Sequence, residues 1–420
     1  MNWVIKENND NESVKTLSNE LNISPILSSM LVNRDVKTFD EAKTFFRPNF
    51  EMLHDPFFMK DMSLAVERIQ KAIKKNESIM IFGDYDVDGT SSVALLSLYL
   101  ESLGLIVTKY LPDRKKEGYG ISINAIDHAF NKKQKLIIAL DCGIKAHKQV
   151  EYAKEKGIEF IICDHHNPEK TLPKALAILN PKRKDCVYPY KELCGCGVGF
   201  KLIQGLETKQ PKDNQIINYL DLVALAIAAD VVPLTGENRV LAFIGLQIIN
   251  SNPRPGIHSL LKTNIKKEYT ISDLMYYVGP RINAAGRMKH ASLALELLIC
   301  NEINSAEKLA LEIEELNTLR REIEKNITSQ AIEQADNSSE KTNSIVVFNS
   351  DWNKGVIGIV ASRLVDNYYK PSVVFCESSK GVLTASARSI KGLDLYLVIN
   401  QCKDYIDQFG GHKYAAGLTI

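Results

Sequence analysis

The sequence lacks several features that would narrow its function at once. None of its apolar runs reaches the roughly 18 residues of a membrane span, and the N-terminus MNWVIKENN has no apolar core of a signal peptide. Its eight cysteines form no CxxC pair, and only Cys194-Gly195-Cys196 brings two of them close together. We therefore predict a soluble cytoplasmic protein with reduced thiols and no contact with a membrane.

A strong net charge is also missing. The chain has 52 Lys and Arg against 51 Asp and Glu, which gives +1 at pH 7. This balance neither requires nor excludes nucleic acid, whose electrostatic footprint can be a local patch such as the basic runs at 109–116 and 182–184. At 420 residues the chain is too long for one small core, so we expect two or three domains.

Acidic residues follow three apolar runs that are typical of buried strands. The junctions are IMIF followed by GDYDVDG at 79–89, LIIAL followed by Asp141, and IEFIIC followed by Asp164-His165-His166. Parallel sheets carry their functional groups at the carboxyl ends of the strands, so these side chains should converge. Buried carboxylates need compensating cations. Oxygen ligands with one or two histidines favour Mn²⁺ or Mg²⁺ over a thiolate zinc site.

Each piece of this pattern has an alternative interpretation. An Asp-x-Asp-x-Asp run can be a turn or a calcium loop, but here no Glu stands at the closing position that an EF-hand needs. A histidine pair can be an ordinary surface or core feature. Asp230 follows the apolar helical segment 219–229 and precedes Pro233, so it is either a cap-like structural group or a metal ligand, and the residues alone favour the structural role.

Alternating strand and helix patterns predict an α/β protein with a doubly wound parallel sheet and a smaller α/β domain. We expect an N-terminal extension at 1–55, a catalytic domain at 56–300, a long helix and linker at 301–340, and a substrate-binding domain at 341–420. The amphipathic helix near 303–335 would be about 50 Å long at ~1.5 Å per residue. It separates two domains in this interpretation, and a coiled-coil seam is the alternative.

Eight short motifs follow one another from Gly83 onward. They are GDYDVDGTSS at 83–92, DCG at 141–143, DHH at 164–166, ADVVPL at 229–234, GPRINAAGRM at 279–288, GVIGIVASRL at 355–364, SARS at 386–389 and GGH at 410–412. With these motifs the chain resembles the DHH phosphoesterase superfamily, in particular its single-strand-specific 5′ exonucleases. The resemblance implies metal-dependent 5′ to 3′ hydrolysis of single-stranded DNA to 5′-mononucleotides in recombination and repair. It also suggests a single-strand-binding protein and a helicase as partners.

The resemblance implies a role for each matching residue. Two Mn²⁺ or Mg²⁺ ions would have as ligands Asp86, Asp88, Asp141, His165 and Asp230, with Asp141 bridging the ions. Asp84 would be a further ligand or would support one, and a ligand is preferred. His166 would contact the scissile phosphate and assist proton or charge transfer at the leaving oxygen. Two such ions can stabilise both the attacking and the leaving oxygen of an in-line displacement.

The resemblance also implies a phosphate clamp in the second domain. Its residues would be Ser386, Arg388, Gly410, Gly411 and His412, where arginine suits bidentate phosphate recognition and glycine lets backbone amides approach an anion. Three residues of a predicted loop at 279–288 would reach the phosphodiester as well. They are Arg281, Asn283 and Arg287, and helix capping is the alternative for Asn283.

Two other functions share parts of this pattern. A phosphodiesterase for cyclic dinucleotides or short RNA would have the same metal site, but GDYDVDG and GPRINAAGRM favour the polynucleotide enzyme. A non-catalytic DNA-binding scaffold is disfavoured because every ligand position is filled. The resemblance further implies an oligonucleotide-binding fold after GGH, whereas the chain stops at Ile420. We therefore expect a sequence cut within its last strands, which leaves an unpaired edge and weakened DNA binding.

Overall fold

The structure is a computed structural model that describes residues 10–114, 116–209, 215–230, 232–337 and 342–420. Parts of six sequence predictions lie outside these residues. They are the first nine residues of the N-terminal extension, Lys115 of the basic run, residues 210–214 of the catalytic domain, Val231 of the ADVVPL motif, Ser338-Ser339-Glu340 of the predicted linker and Lys341 of the substrate-binding domain.

The described part of the N-terminal segment is helical. Its helices are α1 (Asn11–Leu21), α2 (Pro25–Val32) and α3 (Phe39–Phe46), followed by short 3₁₀ turns at Phe50–Met52 and Pro56–Phe58. Thr38 and Glu41 form a capping box at the start of α3, which satisfies amides that a helix leaves free. The Arg239 Nε donates to the Phe45 carbonyl at 2.7 Å and so holds the segment to the next region.

The first α/β region contains five strands and eleven α-helices among the described residues. In chain order they are α4 (Met62–Lys75), β1 (Ile79–Gly83), α5 (Val87–Ser102), β2 (Val107–Tyr110), α6 (Ile123–Asn131), β3 (Leu136–Leu140), α7 (His147–Glu155), β4 (Glu159–Cys163), β5 (Ala177–Leu179), α8 (Gly195–Lys209), α9 (Leu220–Ala229), α10 (Gly236–Ser251), α11 (Pro255–Leu261), α12 (Ile271–Asp273), α13 (Gly279–Met288) and α14 (Ser292–Ile299). Among the described residues, no helix has the length and apolarity to cross a membrane.

The five strands form a parallel sheet in the order β2-β1-β3-β4-β5. Successive side chains of a strand point to opposite faces. Ile79 and Ile81 therefore join the core that contains α5, α8 and α9, whereas Met80 and Phe82 join the core that contains α6 and α7. Both faces are covered by helices, so the predicted doubly wound fold is confirmed.

The predicted loop at 279–288 is wrong, because these residues form α13. A π-helical turn at Leu274–Val278 connects α12 to α13, so the three pieces follow without a break. Asn283 stands in the interior of α13, which excludes the helix-capping alternative for this residue. Glycine and proline are common in loops, but Pro280 occupies the first turn of the helix, where proline is tolerated.

The long helix α15 (Ile303–Asn337) crosses from the first region to the second. Its first half contacts α13, where Glu314 pairs with Arg281. In its second half, Gln330 accepts a hydrogen bond from the Trp352 indole at 2.7 Å. Because the helix buries side chains against both regions of its own chain, the packing supports the domain-connecting interpretation over the coiled-coil seam.

The second α/β region has a mixed sheet in the order β6-β7-β8-β10-β9. Its elements are β6 (Ile345–Phe348), α16 (Ile357–Tyr368), β7 (Ser372–Ser379), β8 (Val382–Arg388), α17 (Leu395–Gln401), β9 (Gln408–His412) and β10 (Ala415–Thr419). Only β6 and β7 pair in parallel. The expectation of an unpaired edge at the last strand is wrong, because β10 lies between β8 and β9.

Candidate active site

The end of β1 supplies three carboxylates over five residues. Asp84 directly follows the strand and is 2 % exposed. Asp86 caps α5, since its carboxylate accepts a hydrogen bond from the Gly89 amide at 3.0 Å. Asp88 lies in the first turn of α5, and its two oxygens accept hydrogen bonds from the amides of Gly195 and Cys196, each at 2.7 Å. Secondary structure thus fixes the direction of Asp86 and Asp88.

The end of the neighbouring strand β3 supplies Asp141. This residue has a φ of 59°, in the left-handed region that non-glycine residues rarely adopt. Its amide donates to the Cys163 carbonyl of β4 at 2.9 Å, so the sheet holds the strained backbone in place. Strain of this kind is typical of functional sites.

His165 stands at the centre of the carboxylates. Its Nε2 lies 3.1 Å from Asp141 Oδ1, 3.6 Å from Asp230 Oδ2 and 3.9 Å from Asp88 Oδ2. Asp230 directly follows the last residue of the buried helix α9. From the sequence, its role was open between a cap-like structural group and a metal ligand. The structure brings this carboxylate to the strand ends. We call Asp84, Asp86, Asp88, Asp141 and Asp230 the acidic edge.

Burial and mutual repulsion perturb the acidic edge strongly. Burial, followed by the charge of Asp86, raises the pKa of Asp88 to about 7. Burial and the charges of Asp88 and Asp86 raise the pKa of Asp230 to about 8. The pKa values of Asp84 and Asp141 are also raised well above the ordinary value, again first by burial and then by neighbouring carboxylates. Carboxylates crowded in this way require a cation to remain ionised at neutral pH.

The donor atoms fit divalent cations such as Mn²⁺ or Mg²⁺. Within the described part of the chain, no hydrogen bond satisfies the buried atoms Asp84 Oδ1, Asp141 Oδ1, Asp230 Oδ2 and His165 Nε2. Buried polar atoms are normally paired, so these atoms are free to bind a cation. Burial, followed by the charge of His166, lowers the pKa of His165 to about 3, which keeps the imidazole neutral, as a metal ligand must be.

His166 points differently from His165. Its Nδ1 bonds to Asp164 Oδ1 at 2.7 Å, and its Nε2 lies 3.5 Å from the Tyr119 hydroxyl. Burial lowers the pKa of His166, but the bond to Asp164 and the carboxylates of Asp230 and Asp88 outweigh this effect and raise it to about 9. The side chain is 45 % exposed. A protonated, accessible imidazole beside the acidic edge can donate to an anion.

Asp164 accepts several hydrogen bonds at once, and the sequence had suggested no individual role for it. Its buried carboxylate accepts hydrogen bonds from the amides of His165 at 2.7 Å, His166 at 3.0 Å and Ile144 at 2.9 Å, besides the His166 ring. Despite its burial, these bonds and the two histidine charges lower the pKa of Asp164 to about 2. Its position directly after β4 was the available signal.

Three arginines form what we call the guanidinium cluster, namely Arg114, Arg287 and Arg388. Burial, followed by the charges of Arg114, Arg320 and Arg388, lowers the pKa of Arg287. Burial and the charge of Arg114 lower the pKa of Arg388. The charge of Arg114 also acts on Asp84, so the cluster neighbours the acidic edge. Half-buried guanidiniums that repel one another are suited to bind an anion.

The members of the cluster come from separate parts of the chain. Arg114 follows β2 and lies 4.8 Å from the centre of the Tyr85 ring. Arg287 lies one residue before the end of α13 and donates to the Gly355 carbonyl of the second region at 3.0 Å. Arg388 ends β8 and donates to the Ser386 hydroxyl at 3.1 Å. The sequence analysis did not identify Arg114. Its position after a strand of the first sheet could have marked it as a candidate site residue.

The other predicted substrate residues divide into two groups. Gly410, Gly411 and His412 lie on the exposed edge strand β9, and the charges of Arg388 and His166, after partial burial, lower the pKa of His412. Arg281 is instead 4 % exposed, pairs with Glu314 and donates to the Tyr277 carbonyl at 2.7 Å. These contacts favour a structural role for Arg281 over the predicted contact with the phosphodiester.

Two family models match separate parts of the chain. Residues 78–227 match the DHH family, N-terminal domain, and residues 341–420 match the DHHA1 domain. The single-stranded-DNA-specific exonuclease RecJ of Bacillus subtilis is 40 % identical over the whole chain, which spans 53 % of that protein. RecJ of Haemophilus influenzae is 37 % identical over 96 % of the chain and 73 % of its own length. The chain thus spans between half and three quarters of these relatives.

Solved structures of RecJ proteins share the fold. A crystal structure of exonuclease RecJ bound to manganese has a TM-score of 0.77 at 30 % identity and covers 88 % of this chain and 91 % of that chain. RecJ from Thermus thermophilus in complex with Mn²⁺ has a TM-score of 0.85 at 27 % identity, over 97 % of this chain and 58 % of that one. The similarity extends over both α/β regions.

Proposed function

This chain belongs to the RecJ family of DHH proteins, and from that membership we propose that it hydrolyses single-stranded DNA from the 5′ end to 5′-mononucleotides. The observation that carries the proposal is that two clusters of opposite charge lie side by side. They are the acidic edge, with its unpaired buried oxygens, and the guanidinium cluster. One cluster suits cations and the other suits phosphate. DNA recombination and repair are the processes in which such an activity would act.

Two divalent ions, Mn²⁺ or Mg²⁺, are the proposed cofactors. Their ligands would be Asp86, Asp88, Asp141, His165 and Asp230, with Asp141 shared between the ions and Asp84 as a further ligand. When bound, such ions supply Lewis acidity and charge neutralisation for in-line displacement at phosphorus. The chain itself supplies fixed carboxylate directions and a neutral His165.

His166 is the proposed catalytic residue that contacts the scissile phosphate. Asp164 holds its Nδ1 side, so Nε2 is the atom that is left to donate to a phosphate oxygen. A raised pKa of about 9 keeps the ring protonated at neutral pH. A positioned donor of this kind stabilises negative charge that develops on the phosphate oxygens or the leaving oxygen.

The guanidinium cluster would bind the terminal phosphate group of the substrate strand. Arg388 and Ser386 come from the second sheet, and Arg114 and Arg287 come from the first region, so the bound phosphate would be held from both sides. His412 on β9 extends the same positive surface. We expect one strand to enter this space and a duplex, roughly 20 Å wide, to be excluded. A free 5′ end is then the required substrate.

A direct assay compares substrates in the presence of Mn²⁺ and in the presence of chelator. The substrates are 5′-labelled linear single-stranded DNA, the same strand closed into a circle, a blunt duplex, a cyclic dinucleotide and a short RNA. We expect mononucleotide release only from the linear strand and only with Mn²⁺. Equal cleavage of circles and linear strands would refute the end-binding model, and preference for the cyclic dinucleotide would favour the phosphodiesterase alternative.

Partners and location follow from the same family membership. We propose that a single-strand-binding protein and a helicase supply the substrate strand, and that the protein acts in the cytoplasm, where such DNA would be found. Stimulation of strand degradation by each purified partner on a tailed duplex would test this. A rate unchanged by either partner would contradict it.

A further inference from the structure

The segment Cys194-Gly195-Cys196 contains the closely spaced cysteine pair of the sequence, and it lies directly against the acidic edge. Both thiols are fully buried. The backbone of the segment, where α8 begins at Gly195, makes the contacts instead. The Gly195 amide donates to Asp88 Oδ2 and the Cys196 amide donates to Asp88 Oδ1, each at 2.7 Å. Each carboxylate oxygen thereby keeps a second lone pair for another ligand.

The same glycine also touches Asp141. A Cβ at position 195 would lie 2.6 Å from Asp141 Cβ, 2.7 Å from its Oδ1 and 2.9 Å from its Cα. Optimal carbon contacts are about 3.5 to 4.0 Å, so a side chain at this position would displace Asp141. Asp141 has little freedom to yield, because its strained backbone is bonded to β4.

Resting on the proposed two-metal function, we propose that Gly195 is a positioning residue that sets the spacing between the carboxylates of Asp88 and Asp141. Its missing side chain lets the start of α8 approach the acidic edge closely. Two amides then fix Asp88 while the carboxylate of Asp141 occupies the space beside Gly195. The helix α8, and not the sheet alone, determines how the two carboxylates face a bound ion.

Two glycines of α8 provide a matched test. In Gly197→Ala, the new Cβ would lie no closer than 3.4 Å to the Leu193 side chain, which is an ordinary contact. Both Gly195→Ala and Gly197→Ala improve helix propensity by a similar amount. We expect Gly195→Ala to weaken Mn²⁺ binding at least tenfold by calorimetry and to alter the electron paramagnetic resonance spectrum of the bound Mn²⁺. Gly197→Ala should bind Mn²⁺ within twofold of the wild type.

Thermal unfolding in chelator shows whether Gly195→Ala folds. If it does not, a second pair of variants tests the backbone amides that bond Asp88. Cys196→Pro removes one amide that bonds Asp88, and Gly197→Pro removes the next amide, which does not bond Asp88. Proline is tolerated in the first helical turn. Loss of a residue that orients a metal ligand typically costs 10- to 100-fold in affinity, and we expect such a loss for Cys196→Pro alone.

The outcomes separate this inference from the proposed function. Wild-type Mn²⁺ affinity in folded Gly195→Ala and in Cys196→Pro would overturn the positioning role. Equal losses in the position 195 and 197 variants would overturn it as well, because the effect would then be general to the helix. A wild-type protein that binds Mn²⁺ but degrades no single-stranded DNA would refute the nuclease proposal, while the binding comparison would still decide the role of Gly195.

Discussion

The acidic edge and the guanidinium cluster are two regions of opposite charge with the same internal problem. Burial and like charges raise the pKa of Asp141, and burial and like charges lower the pKa of Arg287. Each region is electrostatically unfavourable by itself, because it holds charges of the same sign close together. Both regions are therefore suited to a ligand of opposite sign, in our proposal metal ions on one side and phosphate on the other.

The two regions differ in how they are built. The acidic edge comes mainly from neighbouring strand ends of one sheet, joined by the backbone bond between Asp141 and Cys163. The guanidinium cluster comes from β2, α13 and β8, so it exists only where the two α/β regions meet. The hydrogen bond from Arg287 to the Gly355 carbonyl is one of the contacts between the two regions. We therefore expect substitutions in the acidic edge to abolish chemistry and substitutions in the cluster to weaken substrate binding.

The largest effect should come from Asp141→Ala. Removing the carboxylate proposed to be shared by both ions should abolish hydrolysis, because the positions of the two ions are lost together. Turnover at saturating Mn²⁺ is the measurement, with the exposed Asp404→Ala as the control. Retention of more than a tenth of the wild-type rate would show that Asp141 does not bridge the ions.

His166→Ala should have the next largest effect. We expect turnover to fall on the order of 10²-fold, the usual scale for a lost acid-base or electrostatic group. Mn²⁺ stoichiometry by calorimetry should remain unchanged, since the Nδ1 of His166 is bonded to Asp164 Oδ1 and our proposal gives the ligand role to His165. His147→Ala, at the start of α7 and outside the acidic edge, is the control. Loss of one bound ion would instead exchange the roles of His165 and His166.

Arg388→Ala should affect binding more than chemistry. Charge-assisted hydrogen bonds contribute about 1.5–3 kcal/mol, so we expect KM for single-stranded DNA to rise at least tenfold with unchanged Mn²⁺ affinity. The preference for linear over circular DNA should also weaken. Arg321→Ala, on the exposed face of α15, should leave KM within twofold. A fall in turnover at unchanged KM would move Arg388 into the reaction itself.

Metal removal should make stability depend on pH. The pKa values of Asp88 and Asp230 are raised to about 7 and about 8, against about 3.9 for an unfolded aspartate. These groups stabilise the fold when protonated, and that stability is lost as pH rises through 7 to 8. In chelator, the melting temperature should fall by several degrees from pH 7 to pH 9, and Mn²⁺ should suppress the fall. A metal-free melting temperature that rises over this range would contradict the electrostatic account.

Arg281→Ala should give the smallest effect on activity. Its pairing with Glu314 and its bond to the Tyr277 carbonyl join α13 to α15, so its loss should lower the melting temperature by a few degrees. We expect kcat/KM to stay within about twofold of the wild type, in contrast to Arg287→Ala. A large rise in KM with unchanged melting temperature would restore the original prediction that Arg281 contacts the substrate.

Local sequence patterns predicted the first sheet and the convergence of its acids. Apolar runs that end in Asp84, Asp141 and Asp164 identify strand ends, and parallel strands place those ends on one edge. The same rule could have identified Arg114 after β2. It could not assign Asp230, because that residue ends a helix, and only packing brings a helix end to a strand end.

Short local patterns in the sequence were enough to predict the strands of the first sheet, the family and the residue types available at the acidic edge. Tertiary structure alone decided that 279–288 is helical, that Arg281 faces α15, that β10 lies inside its sheet and that the amides of α8 hold Asp88. Each of these outcomes depends on contacts between residues far apart in the chain. Glycine and proline in the 279–288 motif indicate a loop locally, whereas packing against α15 stabilises the helix.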